Sequence, residues 1–204
     1  MDSEIVHTPL DKAKRKPRES LRRGNDAPPR PPALWASCDV FGIGVPEPCL
    51  GRYPRGFVRW AVREAGLAGR AWLHVCSGAL SRSESCGGWR VDVRAAAAPD
   101  VRADGRRLPF QSGSVDGVLL DPPYSVEYAQ DLYGTDYPRP SHLLAEAARV
   151  CRGGGRIGML HYLVCVPPPD CRLVRVHGVT TGLGYRIRAW TLYEKGQRGL
   201  IDAS

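Results

Sequence analysis

No stretch of this sequence approaches the roughly 20 consecutive apolar residues of a membrane-spanning helix, so no membrane partner is expected. The N-terminal charges are not followed by an apolar segment, so no secretory signal is legible. The expected location is the cytoplasm, or the nucleus or nucleoid. No C-x-x-C occurs either. The seven cysteines are Cys38, Cys49, Cys76, Cys86, Cys151, Cys165 and Cys171. Their number is odd and their spacing is unlike that of metal ligands, which argues against a disulfide framework and against zinc. They are expected as reduced thiols, several in the core.

What is present is a chain of 204 residues, 43% hydrophobic and 25% charged, enough for one domain with a sizeable core and short for two. The net charge of +8 and a pI near 9.3 favour an anionic partner, of which nucleic acid is the commonest. A genomic bias toward Ala, Gly, Pro and Arg would also yield a basic chain. Residues 1–33 carry K-A-K-R-K-P-R and then P-P-R-P-P with scant apolar periodicity. They are expected as a disordered basic arm, either a solvated tail or a segment laid along a phosphate backbone. Residues 34–204 form the folded domain.

Within it, G-F-V-R-W-A-V-R-E-A-G-L places Phe57, Trp60, Ala61, Glu64 and Ala65 at helical spacing, with Gly66 to end the helix. A-W-L-H-V-C, G-W-R-V-D-V-R, residues 100–104 and V-D-G-V-L-L read as four strands. S-H-L-L-A-E-A-A-R-V is an amphipathic helix with Leu143, Leu144, Ala147 and Val150 on one face, expected to end at the glycines 153–155. R-I-G-M-L-H-Y-L-V is a fifth strand. C-R-L-V-R-V-H and R-I-R-A-W-T-L-Y-E make a terminal hairpin through G-V-T-T-G-L-G-Y. Trp72 and Trp190 are expected in the core, and His142 and His161 as structural residues. The alternation predicts an α/β domain: a Rossmann-like, doubly wound, mostly parallel seven-stranded sheet with a C-terminal antiparallel hairpin.

In such sheets ligands bind outside the carboxyl ends of the strands, and the ends here are chemically loaded. The first expected strand runs into Cys76-Ser77-Gly78, either a plain βα turn or one that lets backbone N–H groups approach a ligand. The second ends at Asp92, either a surface acid or an acceptor for ribose hydroxyls. Asp104-Gly105 follows the third, where an acid can accept from an adenine amine. The fourth ends in Asp121-Pro122-Pro123-Tyr124.

On these residues the chain resembles the class I S-adenosylmethionine-dependent methyltransferases, and within them the D-P-P-Y amino-methyltransferases of DNA adenine N6 or cytosine N4. The resemblance spans roughly residues 46–195. It implies S-adenosyl-L-methionine as cofactor, with H-V-C-S-G-A-L (His74, Cys76, Ser77, Gly78) as the cofactor loop. Asp92 becomes the ribose acid, and Asp104 with Gly105 the adenine site. G-R-Y-P-R-G-F, with Tyr53 and Pro54, stands over the methionine end, and Asp121 also touches the cofactor. The loop departs from the family pattern, which places an acid near His74 and glycines near Cys76 and Leu80.

The implied substrate is an exocyclic nucleobase amine, adenine N6 in DNA first. Its nitrogen lone pair is delocalised into the ring and becomes reactive if the nitrogen is drawn toward tetrahedral geometry. Asp121 and the Pro122 carbonyl can accept its two N–H bonds. Pro122-Pro123 stiffens the loop, and Tyr124 offers a ring for stacking. The proton can leave after transfer, so no general base is required. Ser125, Glu127 and Tyr128 could line the base pocket, and Y-A-Q-D-L-Y-G-T-D-Y-P-R is either a flap over it or an ordinary connection. Only 80 residues follow Tyr124, so target selectivity is expected to be low, or to come from a protein partner or the basic arm. Three other readings stand: an RNA amino-methyltransferase, a small-molecule methyltransferase, and a non-catalytic nucleic-acid binder on the same fold.

Overall fold

The computed structural model describes the backbone of residues 36–40, and residues 53–181 and 186–197 in full. The arm 1–33, Gly51 and Arg52 of G-R-Y-P-R-G-F, and the centre of the last hairpin connection lie outside them. The elements are β1 (Ala36–Val40), α1 (Phe57–Glu64), β2 (Trp72–Val75), β3 (Trp89–Asp92), β4 (Val101–Arg102), β5 (Val115–Leu120), α2 (Pro140–Val150), β6 (Cys151–His161), β7 (Cys171–Thr180) and β8 (Arg188–Lys195). A π-helical turn, Tyr128–Leu132, follows β5.

The strands form one sheet in the order β1-β7-β8-β6-β5-β2-β3-β4. β8 runs antiparallel to β6 and β7, and every other pairing is parallel. The seven strands expected from the sequence are β2 to β8, with the antiparallel hairpin at the C-terminus. β1, which no alternation announced, adds a parallel edge to β7 from Ala36↔Val176 to Val40↔Thr180. Among the described residues no helix is long and apolar enough to cross a membrane.

The period-2 pattern of each strand divides the core in two. Leu73, Val75, Val118, Leu120, Ile157 and Met159 point to one face, where α2 supplies Leu143, Leu144, Ala147 and Val150. Trp72, Leu119, Leu160 and Trp190 point to the other, where α1 supplies Phe57, Val58, Ala61 and Val62. Each large side chain buried this way contributes about 1.5–3 kcal/mol. α1 ends as its sequence suggests. Gly66 takes a left-handed φ of 67°, its N–H donates to the Arg63 carbonyl, and the Leu67 N–H reaches back to the Val62 carbonyl. That is the Schellman pattern.

α2 ends at Val150, the last residue of its expected apolar pattern, but the glycines are not what ends it. Cys151 is already extended, with φ −73° and ψ 136°, and enters β6 directly. The glycines serve the strand instead of the helix. Val115 pairs with Cys151 and Gly117 with Arg156, so residues 152–155 bulge out of register. A Cβ on Gly155 would meet the Asp116 carbonyl at 2.7 Å and the Arg152 carbonyl at 2.9 Å, which only glycine avoids.

After β2 the chain steps outward through β3 and β4, then returns to place β5 on the other side of β2. This reversal opens a crevice above the ends of β2 and β5, where an open α/β sheet receives its ligand. The Asp121 N–H donates to the Val75 carbonyl at 3.3 Å, tying the two strand ends together.

Candidate active site

A cavity of about 350 Å³ occupies that crevice, within the range of small-molecule sites, about 300–1,000 Å³. Cys76 and Gly78 line it from the end of β2 and Asp92 from β3. Asp104, Gly105 and Arg106 come from the turn after β4, and Asp121 and Pro123 from the end of β5. Val93, Arg94, Ala103 and Leu143 add to these walls, and Tyr133, Gly134, Thr135, Asp136 and Pro138 face them. The latter belong to the segment read as flap or connection, which here roofs the crevice.

Asp92, 5% exposed, holds the floor. Its Oδ2 accepts the Gly78 N–H at 2.9 Å. Its Oδ1 accepts the Arg94 N–H at 2.9 Å and Arg94 Nε at 3.3 Å. The Arg94 guanidinium also lies 4.6 Å from the centre of the Tyr133 ring, joining floor to roof. Asp104 is built the same way: the Arg106 N–H donates to Oδ1 at 2.8 Å, and Arg106 Nε and Nη2 span both oxygens. These bonds hold the Asp104 carboxyl below its usual range. Both acids close an Asx turn onto an arginine two residues on. The repeated D-x-R of Asp92-Val93-Arg94 and Asp104-Gly105-Arg106 is a sequence signal that identifies these arginines.

Cys76 sits between the acids in the left-handed region, at φ 57°, a strained conformation for a side-chain-bearing residue. Burial, and then the carboxylates of Asp92, Asp121 and Asp104, push its thiol up, so it stays neutral. Burial likewise pushes Asp121 up to about 7, although the Tyr124 hydrogen bond and the Arg188 charge pull it down. Tyr124 Oη donates to Asp121 Oδ1 at 2.9 Å and accepts from Arg188 Nη1 at 3.2 Å. The Tyr124 ring packs tilted on Tyr162 at 4.6 Å and edge-on to His161 at 5.5 Å. His161 is fully buried. Its Nδ1 accepts the Leu163 N–H at 3.0 Å, and burial lowers its pKa. The neutral ring therefore carries its proton on Nε2.

Several expected residues lie elsewhere. His74 belongs to the opposite face of β2 by strand alternation. Its ring packs on Trp72 at 4.2 Å, Nε2 meets the Ser85 carbonyl at 3.2 Å, and burial lowers its pKa to about 3. His74 is not among the residues that line the crevice, which β2 supplies only through Cys76 and Gly78 beyond its last residue. Ser77 is 1% exposed and its Oγ has no hydrogen-bond partner; only the flanking Cys76 and Gly78 line the cavity. Pro122 is buried, and it is Pro123 that lines the wall.

Tyr53 and Pro54 line a second cavity of about 600 Å³ beside α1, with Arg55, Arg59, Leu80 and Glu84. The Tyr53 ring stacks on Phe57 at 5.6 Å, and its buried hydroxyl has no partner. Burial, and then the nearby Asp121, Cys76 and Tyr124, raise its pKa. Tyr124 presents a hydroxyl to Asp121 and a ring already packed among aromatics. Sequence reasoning missed Arg94, Arg106 and Arg188; the last stands on β8 with no local signal to connect it to Asp121.

No known family's sequence model matches the chain, and no curated protein does. Solved structures do. The [4+2]-cyclase SpnF superposes with a TM-score of 0.51 at 12% identity, covering 69% of this chain and 80% of that one. TrmN from Thermus thermophilus gives 0.48 at 21% identity over 68% of this chain and 48% of its own, so this chain matches about half the length of TrmN. The 1,6-didemethyltoxoflavin-N1-methyltransferase from Burkholderia thailandensis, solved with bound 1,6-didemethyltoxoflavin and S-adenosylhomocysteine, gives 0.48 at 11% identity over 69% and 76%. At these identities the likeness is one of fold. The shared fold is the Rossmann-like one, a mostly parallel sheet with an antiparallel hairpin at the C-terminus.

Proposed function

We propose that this chain is an S-adenosylmethionine-dependent N-methyltransferase acting on an exocyclic nucleobase amine, adenine N6 in DNA first. One observation carries the reading: Asp121 of D-P-P-Y shares a single cavity with Gly78, Asp92 and Asp104. Acceptors for an adenosine moiety and an acceptor for an amine thus line one crevice.

The residues present fit the cofactor. Asp92 has acceptor capacity beyond its three N–H partners and is the candidate for ribose hydroxyls. Asp104 is the candidate for the adenine amine, with Arg106 sharing its oxygens. When bound, S-adenosylmethionine supplies an electrophilic methyl group. The chain's own part is positioning. Asp121 and the Pro122 carbonyl accept the two N–H bonds of the amine, orient its lone pair, and stabilise the positive charge that develops on nitrogen. Tyr124 keeps Asp121 aimed, and stacking falls to the aromatic surface it shares with Tyr128 and Tyr162. Among the described residues after Tyr124, the regular elements α2, β6, β7 and β8 all build or cover the sheet. Target selectivity is therefore assigned to a protein partner or to the basic arm.

The deciding experiment incubates the protein with methyl-labelled S-adenosylmethionine and panels of DNA, RNA, nucleosides and small amines, with Asp121→Asn alongside. Label should enter DNA adenine and vanish with Asp121→Asn, while calorimetric binding of the cofactor persists within about tenfold. Label in RNA or in a small amine moves the substrate class. No binding and no transfer with any panel sinks the reading in favour of a non-catalytic binder.

A further inference from the structure

Beside the D-P-P-Y turn, the residue with least apparent reason to be there is Arg188. It opens β8, is half-buried, and directs Nη1 at the Tyr124 hydroxyl at 3.2 Å. A phenol has one proton to give. Because the guanidinium can only donate, the hydroxyl accepts from it, and its own proton turns to the acceptor on the other side. That acceptor is Asp121 Oδ1, at 2.9 Å. The three groups form a one-way chain from guanidinium through hydroxyl to carboxylate. It leaves Asp121 Oδ2 outside the chain.

We propose that Arg188 is a positioning residue for Asp121: it fixes the direction of the Tyr124 hydroxyl, so that Oδ1 is held as the acceptor of that hydroxyl and Oδ2 is left to accept an N–H from the substrate. The functional meaning rests on reading Asp121 as the amine acceptor; the relay itself does not. In this geometry Oδ1 faces a hydroxyl already committed to donating, so any proton on the carboxyl is confined to Oδ2, and the hydrogen bond to Oδ1 favours the ionised form. The surroundings make this consequential. The titratable groups around Asp121 are Tyr53 ahead of α1, Cys76 at the end of β2, Tyr124, Tyr133 in the roof, and Arg188. Arg188 is the cation whose charge acts directly on the Asp121 carboxyl, while burial favours the neutral form.

The test is an NMR titration of the Asp121 side-chain carboxyl in the full chain, in parent, Arg188→Gln, Tyr124→Phe and the double variant. Amide spectra serve as the check that each is folded. Arg188→Gln should raise the midpoint by about one unit and Tyr124→Phe should raise it too. The double variant should fall short of the sum, because one change removes the path of the other. Arg188→Lys, which keeps the charge but not the planar fork, should restore part of the shift. If Arg188→Gln is folded and the midpoint does not move, or if the two shifts add, the relay is refuted. The readout needs no substrate or cofactor, so its failure is distinct from failure of the methyltransferase reading. Where transfer is observed, the acid limb of the pH–rate profile should move upward with the carboxyl midpoint.

Discussion

Exchanging Asp92 for asparagine tests whether charge holds the floor of the cavity. The carboxylate accepts from the Gly78 N–H on Oδ2 and from the Arg94 N–H and Nε on Oδ1. Asp92→Asn keeps the shape but makes one oxygen an NH₂ donor. In the better orientation the amide oxygen still faces Arg94, and the NH₂ meets the Gly78 N–H, donor against donor. A buried N–H without an acceptor costs about 1–3 kcal/mol. Loss of charge assistance on the Arg94 bonds adds about 1 kcal/mol. A total of about 2–4 kcal/mol, at about 2–4 °C per kcal/mol for a chain of this size, lowers Tm by about 4–16 °C. Thermal unfolding followed by circular dichroism near neutral pH reads it directly, and calorimetry should show weaker S-adenosylmethionine binding in the same variant. A Tm within about 2 °C of the parent would show that the carboxylate does not hold the turn, and Asp92 would then be a ligand contact alone.

Other outcomes follow from the same geometry. Gly105→Ala places a Cβ 2.7 Å from Val75 Cγ1 and 2.8 Å from Leu143 Cδ2; overpacking of about 1–3 kcal/mol should lower Tm, and an unchanged Tm would mean the wall yields freely. Asp121 binds its proton more tightly folded than unfolded, so between about pH 4 and about 7 the native state holds more protons and this group's contribution falls as pH rises. Asp121→Asn should therefore gain in Tm over the parent as pH goes from 5 to 8, and a constant difference would refute the raised pKa; parent activity should rise through the same window. Asp100 runs the opposite way: the Arg90 side chain, the largest cause, lowers its carboxyl to about 2. Its contribution is complete above about pH 4 and is lost as pH falls through about 2. Asp100→Asn should flatten that part of the acid unfolding curve, which an unaltered curve would contradict.

The fold was legible because burial on two faces and period-2 alternation write themselves locally. Leu73, His74 and Val75 reveal a strand however the rest of the chain is arranged, and Gly66 marks the end of α1 from its neighbours alone. The limits were local too. β1 was missed because Ala36-Ser37-Cys38-Asp39-Val40 carries little alternation. The glycines 153–155 suggested a helix end when their use is a bulge between β5 and β6, which depends on how closely Asp116 approaches Gly155.

The site divides along the same line. Composition and spacing alone determined that small or acidic residues end four successive strands, and that Asp121-Pro122-Pro123-Tyr124 closes the last, since strand ends follow from where apolar runs stop. Tertiary structure alone decided which of those groups face one volume. His74 packs against Trp72 and the Ser85 carbonyl instead, while Cys76 and Gly78, just beyond the strand, line the cavity. Tyr124 meets Arg188 only because β8 is laid antiparallel beside β6, a contact across 64 positions in sequence. No local pattern encodes it, because the pairing is set by packing of the whole sheet.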